Sequence, residues 1–162
     1  MLALADAPEK IRALDAYWTS LAGGNPPERA TVDLEQIKPL MPYLMIVEFE
    51  TEPFMVRYRL SGTKVDQWNG LNLAGRTLKE FIETDTTGSS DHILECYELS
   101  WRTGKPCASA YDWPNRSGAM LRVWFGVFPL TVEGVVCQAM SIEDYTELPP
   151  IYDPLPWIIP KR

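Results

Sequence analysis

His92 is the only histidine of the chain, and Cys96 stands four positions after it. On a helix that spacing sets both side chains on one face, so a cysteine–histidine pair could form and activate the thiol as a nucleophile. Nothing around either residue forms a nucleophile motif, and the plainer reading is a helix-start histidine beside a core cysteine. His92 with Cys96, Cys107 and Cys137 supplies four potential ligands, the number a structural zinc site needs, but without the paired spacing of such sites. Carboxylates are abundant and none stands in an evident catalytic pair; Glu143-Asp144 follows the last predicted strand and reads as solvated. Gly70, Gly75 and Gly88 are isolated, so no phosphate-cradling loop is present. No kinase, phosphatase or cyclase motif occurs. The residues that could do chemistry therefore assign no catalytic group and no metal site, and the expectation is a protein that is not an enzyme.

Composition narrows the partners. Net charge is −7, which disfavours nucleic acid and anionic lipid, since both need a basic surface. The longest apolar run, Val123 to Leu130, is far short of the ~20 residues of a spanning helix. Met1 to Ala5 lacks the positive charge of a secretory leader, so the expected location is the cytoplasm and the cysteines are expected to be reduced. At 46% apolar content and 162 residues, one folded domain is expected.

The elements that must position these residues follow from periodicity. Asp6 with Glu9 has capping-box spacing and Pro8 suits a first turn. Leu4, Ala7, Ile11, Leu14, Trp18 and Leu21 then recur at three and four, a seam that can dock on its own domain or on a partner, and Gly23-Gly24 ends the helix. Asp33 can cap a short helix through Ile37 that stops at Pro39. Leu44 to Glu50 and Phe54 to Ser61 alternate as strands. Met45, Val47 and Phe49 share a face of the first; Val56, Tyr58 and Leu60 share a face of the second. Glu48 and Glu50 should then meet Arg57 and Arg59 across a hairpin. Short helices are expected from Gly62 to Phe81, a longer one from Asp91 to Arg102 with an Ile93, Leu94, Tyr97 and Trp101 stripe, and strands over Cys107–Trp113, Ala119–Leu130 and Val135–Ile142. Separated runs of helix and strand predict an α+β fold with an antiparallel sheet.

Arg57-Tyr58-Arg59-Leu60-Ser61-Gly62-Thr63, with Val65, Asp66, Trp68 and Gly70 and then Gly75-Arg76-Thr77-Leu78, is the most distinctive stretch. With Tyr17-Trp18, Pro27 to Arg29, Asp33, Ile37 and Pro39-Leu40 it resembles a PAS domain, of the small bacterial family with an "RLxGT" strand end and a "GR[TS]L" helix start, over roughly residues 10 to 145. The resemblance implies a five-stranded antiparallel sheet of spatial order 2-1-5-4-3 with helices on one face; the chain then divides into an N-terminal helix over 1–24, a PAS-like core over 25–147 and a Pro-rich tail over 148–162 that lies outside the resemblance. The tail reads as a frayed end or as an apolar strap through Ile151, Tyr152, Leu155, Trp157 and Ile158.

The resemblance also implies a sensory or regulatory role through protein partners, gated by a small apolar ligand if the cleft is open. Its lining would be Tyr58, Leu60, Trp68, Ile93, Tyr97, Val123 and Phe125; alternatively these side chains fill the space completely. Some haem-binding PAS sensors hold iron through a histidine on the long helix before the third strand, which makes His92 the candidate haem ligand. Flavin of the cysteine-adduct type is disfavoured, because residues 62–81 contain no cysteine. Strand four is apolar on both faces, Met120, Trp124 and Phe128 on one and Leu121, Val123, Phe125 and Val127 on the other. Both should be covered. The expectation is a homodimer through Ile11, Leu14, Trp18, Trp124 and Phe128.

Overall fold

The structure, a computed structural model, describes residues 1–157. Helix α1 (Glu9–Ala22) is followed by two 3-10 segments, strands β1 (Leu44–Glu50) and β2 (Met55–Ser61), helices α2 (Thr63–Asn69), α3 (Leu78–Ile82) and α4 (Ser89–Thr103), and strands β3 (Cys107–Pro114), β4 (Met120–Val132) and β5 (Val135–Asp144). The sheet is antiparallel with order β2-β1-β5-β4-β3. This is the α+β, PAS-like architecture the alternation and the resemblance imply.

Sequence dictates most of the local structure. Gly23 and Gly104 take left-handed backbone at the C-caps of α1 and α4, where a side chain would be strained. Thr77 and Glu80 form a reciprocal capping box that starts α3. The predicted box at α1 does not form: Pro8 occupies the cap position and no side chain bonds there, while Asp6 closes a separate 3-10 turn. Asp33 caps as expected, accepting from the Glu35 N–H at 3.1 Å. Pro39 does not end that segment. The 3-10 run continues to Tyr43 because its backbone breaks at Ile37, placing Pro39 near the start of a fresh turn, where a missing N–H costs nothing. Gly62 is required by close approach: a Cβ there would overlap the carbonyl oxygens of Met41 and Pro42.

Each sheet face carries its own apolar layer. The inner face, with Met45, Val47, Val56, Tyr58, Val123, Phe125 and Val127, packs under α2, α3 and α4. The outer face, with Leu44, Ile46, Phe128, Leu130, Met140 and Ile142, packs under α1. The seam of α1 therefore docks on its own sheet: Ile11, Leu14 and Trp18 are buried, and Trp18 Nε1 donates to the Pro129 carbonyl at 2.8 Å. Gly126 lets Ile11 approach, since a Cβ would come within 2.9 Å of its Cγ2. The side chain of Asp144, fully buried, lies at the start of α1, 3.4 Å from the Lys10 N–H.

The expected hairpin ion pairs are present, Arg57 to Glu50 at 3.2 Å and Arg59 to Glu48 at 3.1 Å, both partly solvated. One expectation fails on the same strand. The β1–β2 register shifts between Ile46 and Val47, pairing Ile46 with Leu60 but Val47 with Tyr58. This bulge turns Leu60 to the outer face, so it does not share Tyr58's side.

As far as Trp157, the Pro-rich tail runs along the domain as a strap. Trp157 stacks flat on Trp113, with ring centroids 3.6 Å apart, and is buried. Leu155 N–H donates to the Pro114 carbonyl at 3.0 Å, Trp113 Nε1 donates to the Leu155 carbonyl at 2.8 Å, and Thr84 Oγ1 donates to the Trp157 carbonyl at 2.6 Å. Of the apolar residues expected in a strap, Tyr152 packs near Trp68, Ile151 is exposed, and Ile158 lies outside the described residues.

Candidate functional site

Between the inner face of the sheet and α4 lies a cavity of about 30 Å³. Tyr58 of β2, Tyr97 of α4, Tyr111 of β3, and Ser141 and Glu143 of β5 give it polar lining; Met45, Ile93 and Phe125 complete it. Alternation places these groups. On β5, Ala139, Ser141 and Glu143 fall on the inner side while Met140 and Ile142 point to α1.

A directional chain of hydrogen bonds runs through the cleft. Trp68 Nε1 donates to the Tyr111 hydroxyl at 3.0 Å, and Tyr111 in turn donates to Glu143 Oε2 through a short bond. The Tyr97 and Ser141 hydroxyls pair at 2.7 Å. Burial pushes the Glu143 carboxyl up to about 7, against the opposing pull of the Tyr111 donor. Tyr58, Tyr97 and Tyr111 are raised above the ordinary phenol value, first by burial and further by the Glu143 charge. Near neutral pH the cluster therefore holds neutral phenols around one carboxyl poised to gain or lose a proton.

The family model for the PAS domain matches residues 7–132. The chain belongs to the PAS domain family. Among solved structures it is similar to a light-oxygen-voltage domain studied with a flavin analogue, with TM-score 0.52 and 10% identity over 71% of this chain and 84% of that one. It is also similar to a PAS domain from Colwellia psychrerythraea, with TM-score 0.47 and 12% identity over 70% and 97% of the two chains. At these identities the likeness is one of fold. No curated protein matches the chain. PAS domains are in general sensory and regulatory rather than catalytic, and no helix of the described residues is long and apolar enough to cross a membrane.

As a PAS cleft, this one is nearly full. Ligand sites usually occupy at least ~300 Å³, whereas about 30 Å³ is the share of a water molecule. Of the residues expected to line it, Tyr58, Ile93, Tyr97 and Phe125 do so. Trp68 stands behind Tyr111 as its hydrogen-bond donor, and Val123 is buried in the inner layer without lining the cavity. Leu60 is excluded by the β2 bulge and instead lines an open groove with Arg29, Ile46 and Arg59.

His92 is corrected too. Its Nε2 bonds Ser109 Oγ at 2.7 Å and its ring stands edge-on to Phe125, so the imidazole faces β3 and not the cavity. With that engagement and so small a space, the residues present do not fit haem. They do not fit an adduct-forming flavin either, since α2 and α3 carry no cysteine. Among the described residues no three His, Cys, Asp or Glu side chains come together as metal ligands.

Tyr111, Ser141 and Glu143 were not legible as site residues. The strand expected over Val135–Ile142 stops short of Glu143, whereas β5 runs to Asp144 and both acids are buried, not solvated. Alternation carried one residue further would have put Glu143 on the inner face.

The proposed interface residues separate into two groups. Ile11, Leu14, Trp18 and Phe128 are at most 2% exposed within one chain and cannot meet a partner while α1 is docked. Trp124 packs at the edge of the α1 layer, half-buried, with the Arg122 guanidinium 5.7 Å from its ring and Met120 exposed further along the same face.

Proposed function

We propose that the chain is a regulatory PAS module that works through protein–protein contact, with the open half of the outer sheet around Met120, Arg122 and Trp124 as its interaction face. A second copy of the chain is the first partner expected there. The observation that carries this reading is the division of β4's outer face: α1 covers Gly126 to Leu130, Trp124 packs half-buried at the edge of that layer, and Met120 and Arg122 beyond it are exposed, with the Trp124 indole N–H buried and without a partner among the described residues. An apolar patch rimmed by an ion pair, here Arg122 with Asp112 at 2.9 Å, is the kind of surface that partners cover. The nearly filled cleft supports association over ligand sensing, and any small molecule that gates the module has to displace α4 or the strap to enter. A protein of this composition is expected to act in the cytoplasm.

Light scattering at tens of micromolar tests the association, with a dimer expected for the natural chain and a monomer for Trp124→Glu. A monomer for both overturns the dimer. Native mass spectrometry of protein purified without denaturation tests the cleft. A bare mass is expected, and an adduct matching haem, flavin or a metabolite would make this a ligand sensor instead.

A further inference from the structure

A second cavity lies outside the cleft, between the end of α2 and the strap. It measures about 600 Å³, a volume that small ligands occupy, where the cleft has about 30 Å³. Trp68 and Leu71 form one wall, and Pro154, Leu155 and Pro156 form the other. The strap presents mostly carbon there. Its two prolines carry no N–H, and both backbone polar groups of Leu155 are already bonded, to Pro114 at 3.0 Å and to Trp113 Nε1 at 2.8 Å.

The charged part of the lining is cationic only. Arg76, just before α3, and Arg116, in the turn between β3 and β4, both line the cavity, and no acid does, in a chain of net charge −7. Each arginine is anchored from outside the cavity and not used up. Arg76 gives Nη1 to Glu80 at 3.2 Å, and Arg116 gives Nε to Asp153 at 3.0 Å. A guanidinium has five N–H donors on three nitrogens, so Nη2 of Arg76 and both Nη atoms of Arg116 are left to bind. Donors of this kind, in a planar fork, match an oxyanion. Because an acid already answers each arginine, the site suits one negative charge better than two. Walls of proline and leucine suit a flat apolar body, which also loses little conformational freedom on binding.

We propose that this cavity is a ligand site separate from the cleft, and that it takes a small aromatic carboxylate, its anion on Arg76 and Arg116 and its ring between Leu71 and the strap. Such a ligand would hold the strap to α2. Its effect would also reach the cleft without entry into it, because Trp68 in the wall is the donor to Tyr111, which bonds Glu143.

The test is an NMR titration of the isotope-labelled full chain with 2-naphthoate. Saturable shifts are expected at the Leu71, Arg76 and Leu155 amides and at the Trp68 indole N–H, with slower hydrogen exchange at the Leu155 amide. 2-Naphthamide has nearly the same shape without the charge, and should bind the natural chain at least about tenfold more weakly. Arg116→Gln lies in an exposed turn, keeps the fold, and should weaken 2-naphthoate by about tenfold. Trp124→Glu should bind as the natural chain does, so the site stands or falls apart from association at that face. No saturable shift, equal binding of the amide, unchanged affinity in Arg116→Gln, or shifts confined to Tyr97 and Ser141 of the cleft would each overturn the proposal.

Discussion

The Tyr111 hydroxyl and the Glu143 carboxylate meet in a short hydrogen bond under α4, with Trp68 Nε1 bonded to the same hydroxyl. One phenol thus satisfies both a buried carboxylate and a buried indole. Tyr111→Phe would strand both partners. A loss of about 1–3 kcal/mol in urea unfolding is expected, with the Glu143 carboxyl titrating still higher by NMR. An unchanged Glu143 titration would mean that the tyrosine does not hold the carboxylate.

Glu143 also sets a pH dependence. Its folded-state value lies above the ordinary 4.5, at about 7. The folded state therefore binds the proton more tightly, and its contribution to stability is full below pH 4.5 and is lost as pH rises to about 7. Glu143→Gln keeps an acceptor for Tyr111 and removes the charge. It should raise stability at pH 8 by up to about 3 kcal/mol, with the advantage shrinking towards pH 5, as read from thermal melts across that range.

The seam of α1 is internal, so its truncation should act on folding and not on assembly. Ile11→Ala and Leu14→Ala should each cost about 2–5 kcal/mol by denaturant unfolding. The mass by light scattering should stay that of the natural chain. A fall in mass without a loss of stability would instead place the seam at a subunit interface.

The strap offers two contrasting substitutions. Trp157→Ala removes a ring stacked on Trp113 and packed near Tyr111 and Phe81, and should cost about 2–4 kcal/mol with a shift in tryptophan emission. Arg116→Ala breaks the exposed Arg116–Asp153 pair at 3.0 Å and should cost under about 1 kcal/mol. Equal effects would show that the strap is held by charge and not by stacking.

Gly62→Ala should be the most damaging single-methyl change in the chain. The added carbon meets backbone carbonyls of Met41 and Pro42, which cannot rotate away as a flexible side chain would. A loss above about 3 kcal/mol, or failure to fold, is expected by circular dichroism.

Element order, strand faces and the ion pairs of the first hairpin were legible because alternation and helical spacing are properties of neighbouring residues. What escaped depends on geometry that spacing does not carry. The β2 bulge flips Leu60 while Tyr58 stays inside, and no residue type announces it. Whether α1 covers its own sheet or another's turns on chain connectivity, since the seam reads the same either way. Glu143 was missed because an acid at a strand end looks solvated until its neighbours are known, and only the fold brings Tyr111 to it. The tail could be seen as a strap from its aromatics, but its seat on Trp113 comes from β3 lying at the sheet margin.

That margin has a consequence for colloidal behaviour. An open sheet ends in two strands whose spare N–H and C=O groups can recruit further chains. Here β3 is met by Leu2 at Ala108 and by Leu155 at Pro114, while Tyr58 of β2 exchanges hydrogen bonds with Gly75 and Arg76. Segments from three distant parts of the sequence thus act as guards against fibril-like stacking. Loosening the segment at Leu2 or the strap should show itself first as a tendency to gel or precipitate, before any loss of fold.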